Sequence, residues 1–268
     1  MNTMIISALC ILLYLSTSWL LGLRVARGSE ASAEPKLGLI ALGFGALILH
    51  ASISYNAIVL SNGLDLSLFN AASLITLIAT LMFLLTVIRT PIEPLGIMIL
   101  PCSALTIALA TWFPSQTALI VTGEWQLKLH IITSLIAYSL FCLAAVQAGL
   151  LAIQEKRLHA RHPGGFLRAL PPLQSMETLL FEIIWVGFVL LTIGLLTGFF
   201  FLSDMFAQHI VHKTFLSICA WLIFGTLLWG RATHGWRGRT ATRWTLSGFV
   251  ALLLAYLGSK LVLELIIA

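Results

Sequence analysis

Seven histidines punctuate a chain otherwise poor in reactive side chains: His50, His130, His159, His162, His209, His212 and His234. Neutral imidazole can give one nitrogen lone pair to a metal ion while its other nitrogen donates a hydrogen bond, and it titrates near neutral pH. The stretch QHIVHKTFLSICAW, residues 208–221, sets His209 and His212 three positions apart at the mouth of an apolar run. LKLHIITSLIAYSLF, residues 127–141, does the same with His130, and LILHASIS, residues 47–54, sets His50 in the middle of another. What these groups can do depends on where the apolar runs place them.

Of the 268 residues, 59% are hydrophobic and 9% charged. A soluble domain carries roughly 25% charged residues, because its surface must be wetted. The chain therefore reads as an all-α polytopic membrane bundle, a single transmembrane domain over residues 1–268 with no soluble domain. A helix needs about 20 apolar residues to cross a bilayer. Eight runs supply them: Met4–Leu23, Leu37–Leu60, Ser67–Ile88, Leu95–Phe113, Leu129–Ile153, Leu179–Leu202, Thr214–Gly230 and Trp244–Ile267. Twelve of the 15 Lys and Arg fall in the loops after spans one, three, five and seven. Under the positive-inside rule those loops face the cytoplasm, so both termini lie outside. The first span lacks a basic leader and is expected to stay in place. The net charge of +5 is a topology signal rather than a mark of nucleic-acid binding.

This topology gives the histidines depths. Spans five and seven both run inward, so His130 and His212 arrive at the same outer face, with His209 just before. His50 lies ten residues before the end of span two, roughly 15 Å below the outer edge. An ionisable group there is costly and marks a functional site unless hydrogen bonds satisfy it; Ser52, Asn56 and Asn70 are the nearest partners by sequence. His130 and His212 could equally be ordinary interfacial histidines. Their shared depth favours a joint role, and imidazole is a common axial ligand of haem iron. A flat macrocycle between spans five and seven would meet Trp125, Tyr138, Phe141 and Trp221, residues that ordinary packing also uses.

Other polar features have simpler readings. Cys10, Cys102, Cys142 and Cys219 are scattered through apolar runs without CxxC or CxxCH, which argues against a disulfide framework, a thiolate metal site or covalent haem attachment and for small apolar packing residues. Glu182 sits near the inner end of span six, Asp204 at its outer end, and Lys260 and Glu264 stand at the i, i+4 spacing of an ion pair. The loop QEKRLHARHPGGFLRALPPLQSME, with His159 and His162, is basic and faces lipid headgroups, and Ser175 is a candidate N-cap for span six. Trp125 is placed to anchor the loop before span five at headgroup level. HGWRGR, residues 234–239, combines turn glycines with arginines for lipid phosphates, or for a haem propionate or partner protein. No nucleophile–base pair or catalytic motif is present, so no enzymatic turnover is expected.

The runs LHIITSLIAYSLF and HKTFLSICAWLIFGTLLWGRATHGWRGRTATRWTLSGFVALLLAYLGSKLV resemble the C-terminal part of the cytochrome c assembly family, the CcsA/HemX-like haem-handling membrane proteins, and in particular its short bacterial inner-membrane branch. The resemblance covers roughly residues 40–265 and is most specific at His212–Lys213 and HGWRGR. It implies haem as cofactor, a bacterial inner-membrane location, and the bilayer and cytochrome-maturation proteins as partners. Outward histidines bind the haem, so His130 and His212 would hold iron, with His50 as an intramembrane candidate and Trp125 beside the ring. The family's tryptophan-rich outer loop has no counterpart here, since SDMFAQHIVH, residues 203–212, holds no tryptophan. The expected function is non-covalent haem transfer or retention at the outer face; the alternative is a small-solute or ion transporter, or a regulatory subunit, using His50 and Glu182. The topology predicts that alkaline phosphatase fused after Ala268 is active and a green fluorescent protein fused there is dark. The reverse pattern would invert every assigned face.

Overall fold

The computed structural model describes residues 3–27, 36–60, 63–90, 92–114, 120–121, 125–159, 172–201 and 211–258. Among the described residues the apolar runs form eight helices: α1 Thr3–Arg27, α2 Leu37–Ile58, α3 Leu68–Val87, α4 Glu93–Trp112, α5 Trp125–His159, α6 Leu173–Phe201, α7 Val211–His234 and α8 Arg239–Leu253, the last continued by a π-helical turn, Leu254–Gly258. Among the described residues, seven helices, α1 to α7, are long and apolar enough to cross a membrane. The eighth predicted span, Trp244–Ile267, is helical as far as Gly258 and then leaves the described residues.

The helices outrun the apolar stretches that foretold them. Chain leaving the hydrocarbon keeps its backbone bonds satisfied most simply by continuing the helix, so α1 carries Arg24 and Arg27 in its last turn. Helix α5 takes in Trp125 at one end and QEKRLH at the other. Helix α6 begins directly after Pro172, leaving Ser175 inside its first turn rather than at the N-cap. Beside the expected helices, the described residues also hold three short strands, β1 Val59–Leu60, β2 Gly63–Asp65 and β3 Ile120–Val121. The first two form an antiparallel hairpin with Val59 opposite Leu64 and Leu60 opposite Gly63. Asp65 ties this hairpin to α3: its carboxylate accepts the Ser67 N–H at 2.9 Å and the Asn70 side-chain amide at 3.0 Å.

The chain packs as two compact units, residues 1–120 with 153–175, and 121–152 with 176–268. In the first, α1 packs on α2 and α4, and α3 packs on the same two helices. Its core holds Tyr14, Phe83, Leu84, Leu100 and Ile107, and Lys36 at the start of α2 pairs with Glu93 at the start of α4 at 3.5 Å. In the second, Phe141 of α5 stacks on Phe224 of α7 with centroids 3.9 Å apart. Gly187 of α6 lies against Phe141 and Gly248 of α8 against Phe224, close enough that a Cβ at Gly248 would stand 2.7 Å from the Phe224 ring. Glycine here lets helix backbones approach, which is how helices associate where lipid supplies no hydrophobic drive. Gly248→Leu is accordingly expected to destabilise the protein by about 1–3 kcal/mol, read as a lowered unfolding temperature in detergent; an unchanged midpoint would mean the stack is not tightly held.

Candidate functional site

His50 lies eight residues before the end of α2 and is fully buried. Its Nδ1 is 3.1 Å from the Tyr14 hydroxyl of α1, and its Nε2 is 2.9 Å from the Ser73 hydroxyl of α3. Both nitrogens are thus committed, one as donor and one as acceptor, and no lone pair is left for iron in this arrangement. The hydrogen bonds cross between helices, but the partners are not those nearest in sequence: Ser52 donates to Leu49 O, Asn56 to Ser52 O, and Asn70 to Asp65. Further hydroxyl pairs continue the pattern in this unit, Thr76 with Thr106 and Thr80 with Ser103, each at 2.7 Å.

His130 is held differently. It sits in the second turn of α5, half-buried, with Nδ1 2.9 Å from the Gly194 carbonyl and 3.3 Å from the Thr197 hydroxyl of α6. A carbonyl can only accept, so Nδ1 carries the proton. The Thr197 hydroxyl donates its own proton to α6 carbonyls, Ile193 O and Gly194 O, and so also faces Nδ1 as an acceptor. The Nε2 lone pair remains, with no hydrogen-bond partner among the described residues. A backbone carbonyl on the far nitrogen is the usual outer support of a metal-binding imidazole, because it fixes tautomer and ring orientation. Sequence reasoning missed Gly194 and Thr197; their only trace is a glycine and a hydroxyl residue three apart in an apolar run, which membrane helices also use for packing.

The remaining sequence-predicted residues scatter around this centre. Trp125 opens α5 and is 65% exposed; five residues of helix put it about 140° around α5 from His130. His212 lies in the first turn of α7; its side chain, and all of His209, Asp204, His162, Lys260 and Glu264, fall outside the described residues. The helix levels place the His212 backbone. Trp221 Nε1 of α7 donates to the Thr192 hydroxyl of α6 at 2.9 Å, and α6 and α7 run antiparallel. The Thr197 level therefore meets α7 near residue 216, and His212 stands about 6 Å nearer the start of α7. Tyr138 donates to Leu252 O, and Trp221 stacks on Phe188. Glu182 is exposed on α6.

At the other end of this unit the HGWRGR stretch forms a tight corner. Gly235, at φ +66°, ends α7 by donating its N–H to Arg231 O, a left-handed cap that favours glycine. The next N–H, of Trp236, reaches Gly230 O, and the Trp236 ring lies where a Cβ on Gly230 would be. The Arg231 guanidinium donates to Trp236 O at 3.2 Å and covers the Phe181 ring at 4.7 Å. The buried Glu177 carboxylate of α6 accepts the Gly238 N–H at 2.8 Å.

The profile of the cytochrome c assembly protein family matches residues 39–267. The chain belongs to that family. It is 35% identical to the inner membrane protein YpjD of Escherichia coli over 228 residues, 82% of this chain and 84% of that one. It is 29% identical over 116 residues to the cytochrome c biogenesis protein CcsA of Gloeothece citriformis, covering 42% of this chain and 35% of that one. No solved structure matches it. Within this cytochrome c assembly chain, the matched region takes in His50, His130 and the HGWRGR corner alike. The His50 contacts tie three helices, so Tyr14→Phe, which deletes one hydroxyl, is expected to cost about 1 kcal/mol. A double-mutant cycle with His50 in detergent unfolding measures it, and additive single effects would dissolve the tie.

Proposed function

We propose that this protein binds haem non-covalently at the His130 end of its second unit and retains or hands it on without catalysing a covalent reaction. The observation that carries this reading is the His130 tautomer: Nδ1–H given to Gly194 O and Nε2 left with its lone pair. The donor chemistry fits, because a neutral imidazole with a hydrogen-bonded far nitrogen is a good axial ligand for haem iron. Haem would bring a redox-active iron, an apolar ring and two carboxylates. His130 would hold the iron, and His212, on the parallel helix and about one turn further out, would be the second or exchanging ligand. Lys128 and Lys213, the basic residues nearest in sequence, would face the carboxylates. His50 has a structural role in this reading, since both its nitrogens are taken.

Membership of the cytochrome c assembly family supports haem as the cargo, and the likeness to YpjD supports a bacterial inner-membrane site of action; the loop charge bias is what speaks for both termini outside. The partners are then the bilayer and cytochrome-maturation proteins, to which haem would pass from the outer face. Hemin titrated into the purified protein in neutral detergent tests this. The wild type is expected to develop a Soret band of imidazole-ligated haem. His130→Ala is expected to lose a bound haem with at least a tenfold weaker apparent affinity, while Ile132→Ala, at an exposed α5 position, keeps it. Equal binding by His130→Ala and wild type would remove the proposal.

A further inference from the structure

The first unit carries a groove along α2. It measures about 670 Å³ and is lined by Leu37, Ala41, Phe44, Gly45 and Ile48, with Ile88, at the end of α3, closing one side. Ala41 and Gly45 stand one turn apart and form a floor of small residues, while Leu37 and Ile48 project at 73% and 67% exposure. A Cβ on Gly45 would meet nothing within 4 Å, so the floor is open. From Lys36 at the mouth to Ile48 at the far end, α2 rises about 18 Å. That is a little over half of the roughly 30 Å hydrocarbon core. The groove thus runs the depth of one leaflet, and the side chains named below its mouth are all apolar.

The mouth is cationic. Lys36 lines it, with its ammonium 3.5 Å from the Glu93 carboxylate and 3.5 Å from Thr90 O. An ammonium has three donors, so one is left over. Arg89 stands between Ile88, which lines the groove, and Thr90, whose carbonyl meets Lys36. Arg89 is exposed, and its guanidinium makes no hydrogen bond or ion pair among the described residues. With Glu93 set against Lys36, Arg89 leaves the mouth with one positive charge in excess. The start of α2 adds to it, since no side chain caps that helix and its first turn holds no acidic residue.

An occupant that satisfies both parts is apolar over the length of one leaflet and anionic at its edge. A free phosphate would use the mouth and leave the groove empty. A second copy of the chain fits poorly, because two copies in one membrane share an orientation and their cationic ends would meet. We propose that the groove is a binding site for an anionic phospholipid, with one acyl chain along Ala41 and Gly45 and the phosphate on Arg89 and the start of α2. The loop charges assign this end of the unit to the cytoplasm, so the lipid belongs to the inner leaflet. A ligand held only by the folded state stabilises it, so an anionic leaflet would brace the first unit. The site lies apart from His130 and rests on no part of the haem reading.

Full-length protein in neutral detergent, titrated with palmitoyl-oleoyl phosphatidylglycerol or phosphatidylcholine and read by native mass spectrometry, tests this. The wild type is expected to retain one phosphatidylglycerol equivalent about tenfold more tightly than phosphatidylcholine, and to unfold at a higher temperature with it. Arg89→Gln is expected to hold the two lipids alike, and Arg89→Lys to keep most of the preference. Gly45→Leu and Ala41→Phe, which fill the floor, are expected to lose that equivalent without lowering the unfolding temperature of the lipid-free protein. The single-chain lysophosphatidylglycerol should displace the bound lipid, and glycerol phosphate at the same concentration should not. Equal retention of both lipids by the wild type, or a preference that survives in Arg89→Gln or in both floor variants, overturns the site. Displacement by glycerol phosphate would make the mouth a bare anion site, and a wild-type dimer abolished by Gly45→Leu would make the groove a face between copies; either result also overturns the proposal.

Discussion

A hydroxyl or imidazole that enters hydrocarbon has no water to turn to, and must find its partner inside the protein. That constraint explains most of what holds this molecule together. In the first unit the ties are reciprocal: Tyr14, His50 and Ser73 join α1, α2 and α3, and paired threonines and serines join α3 to α4. Individually such bonds are worth about 0.6 kcal/mol in a membrane; their larger effect is on register, since each is made only when two helices stand at one height. In the second unit the same constraint is met less symmetrically. His130 satisfies one nitrogen against α6 and leaves the other available.

That asymmetry separates a structural histidine from a candidate ligand, and sequence could not supply it. The spans were legible because apolar length is a one-dimensional property: of the eight apolar runs, seven became membrane-length helices among the described residues, and the eighth is helical as far as Gly258. Their ends were less legible, because Trp125 and the QEKRLH segment are polar or interfacial residues that a helix can include at little cost. The partners of His50 were misplaced since sequence offers neighbours on the same or the next helix, whereas Tyr14 is 36 residues away. Gly194, 64 residues from His130, was invisible for the same reason. The contact between His234 Nδ1 and the hydroxyl of its immediate neighbour, Thr233, spans no distance in sequence, but a hydroxyl beside a histidine is too common to signal a tautomer until the hydroxyl's own proton is traced to Trp229 O.

The HGWRGR corner shows how a loop of glycines and arginines acquires a definite shape. A left-handed glycine ends α7, a buried carboxylate from α6 receives the next turn's amide, and a guanidinium spans the two by binding a carbonyl and covering a ring. The hydrogen bonds among these contacts use backbone groups at and between the two helix ends that would otherwise be left unsatisfied. The corner's exposed arginines are therefore carried on a rigid base, unlike charges on a free loop.

His130 and His234 each set Nδ1 against an oxygen, and the two contacts would fare differently over evolutionary time. The acceptor that sets the His130 tautomer is a main-chain oxygen, and no codon change can delete a carbonyl; drift reaches it only by shifting one helix against another. The acceptor beneath His234 is a threonine side chain, removable by a single base substitution. Divergence among descendants should thus accumulate at the α7–α8 end first, with the opposite end the slower clock.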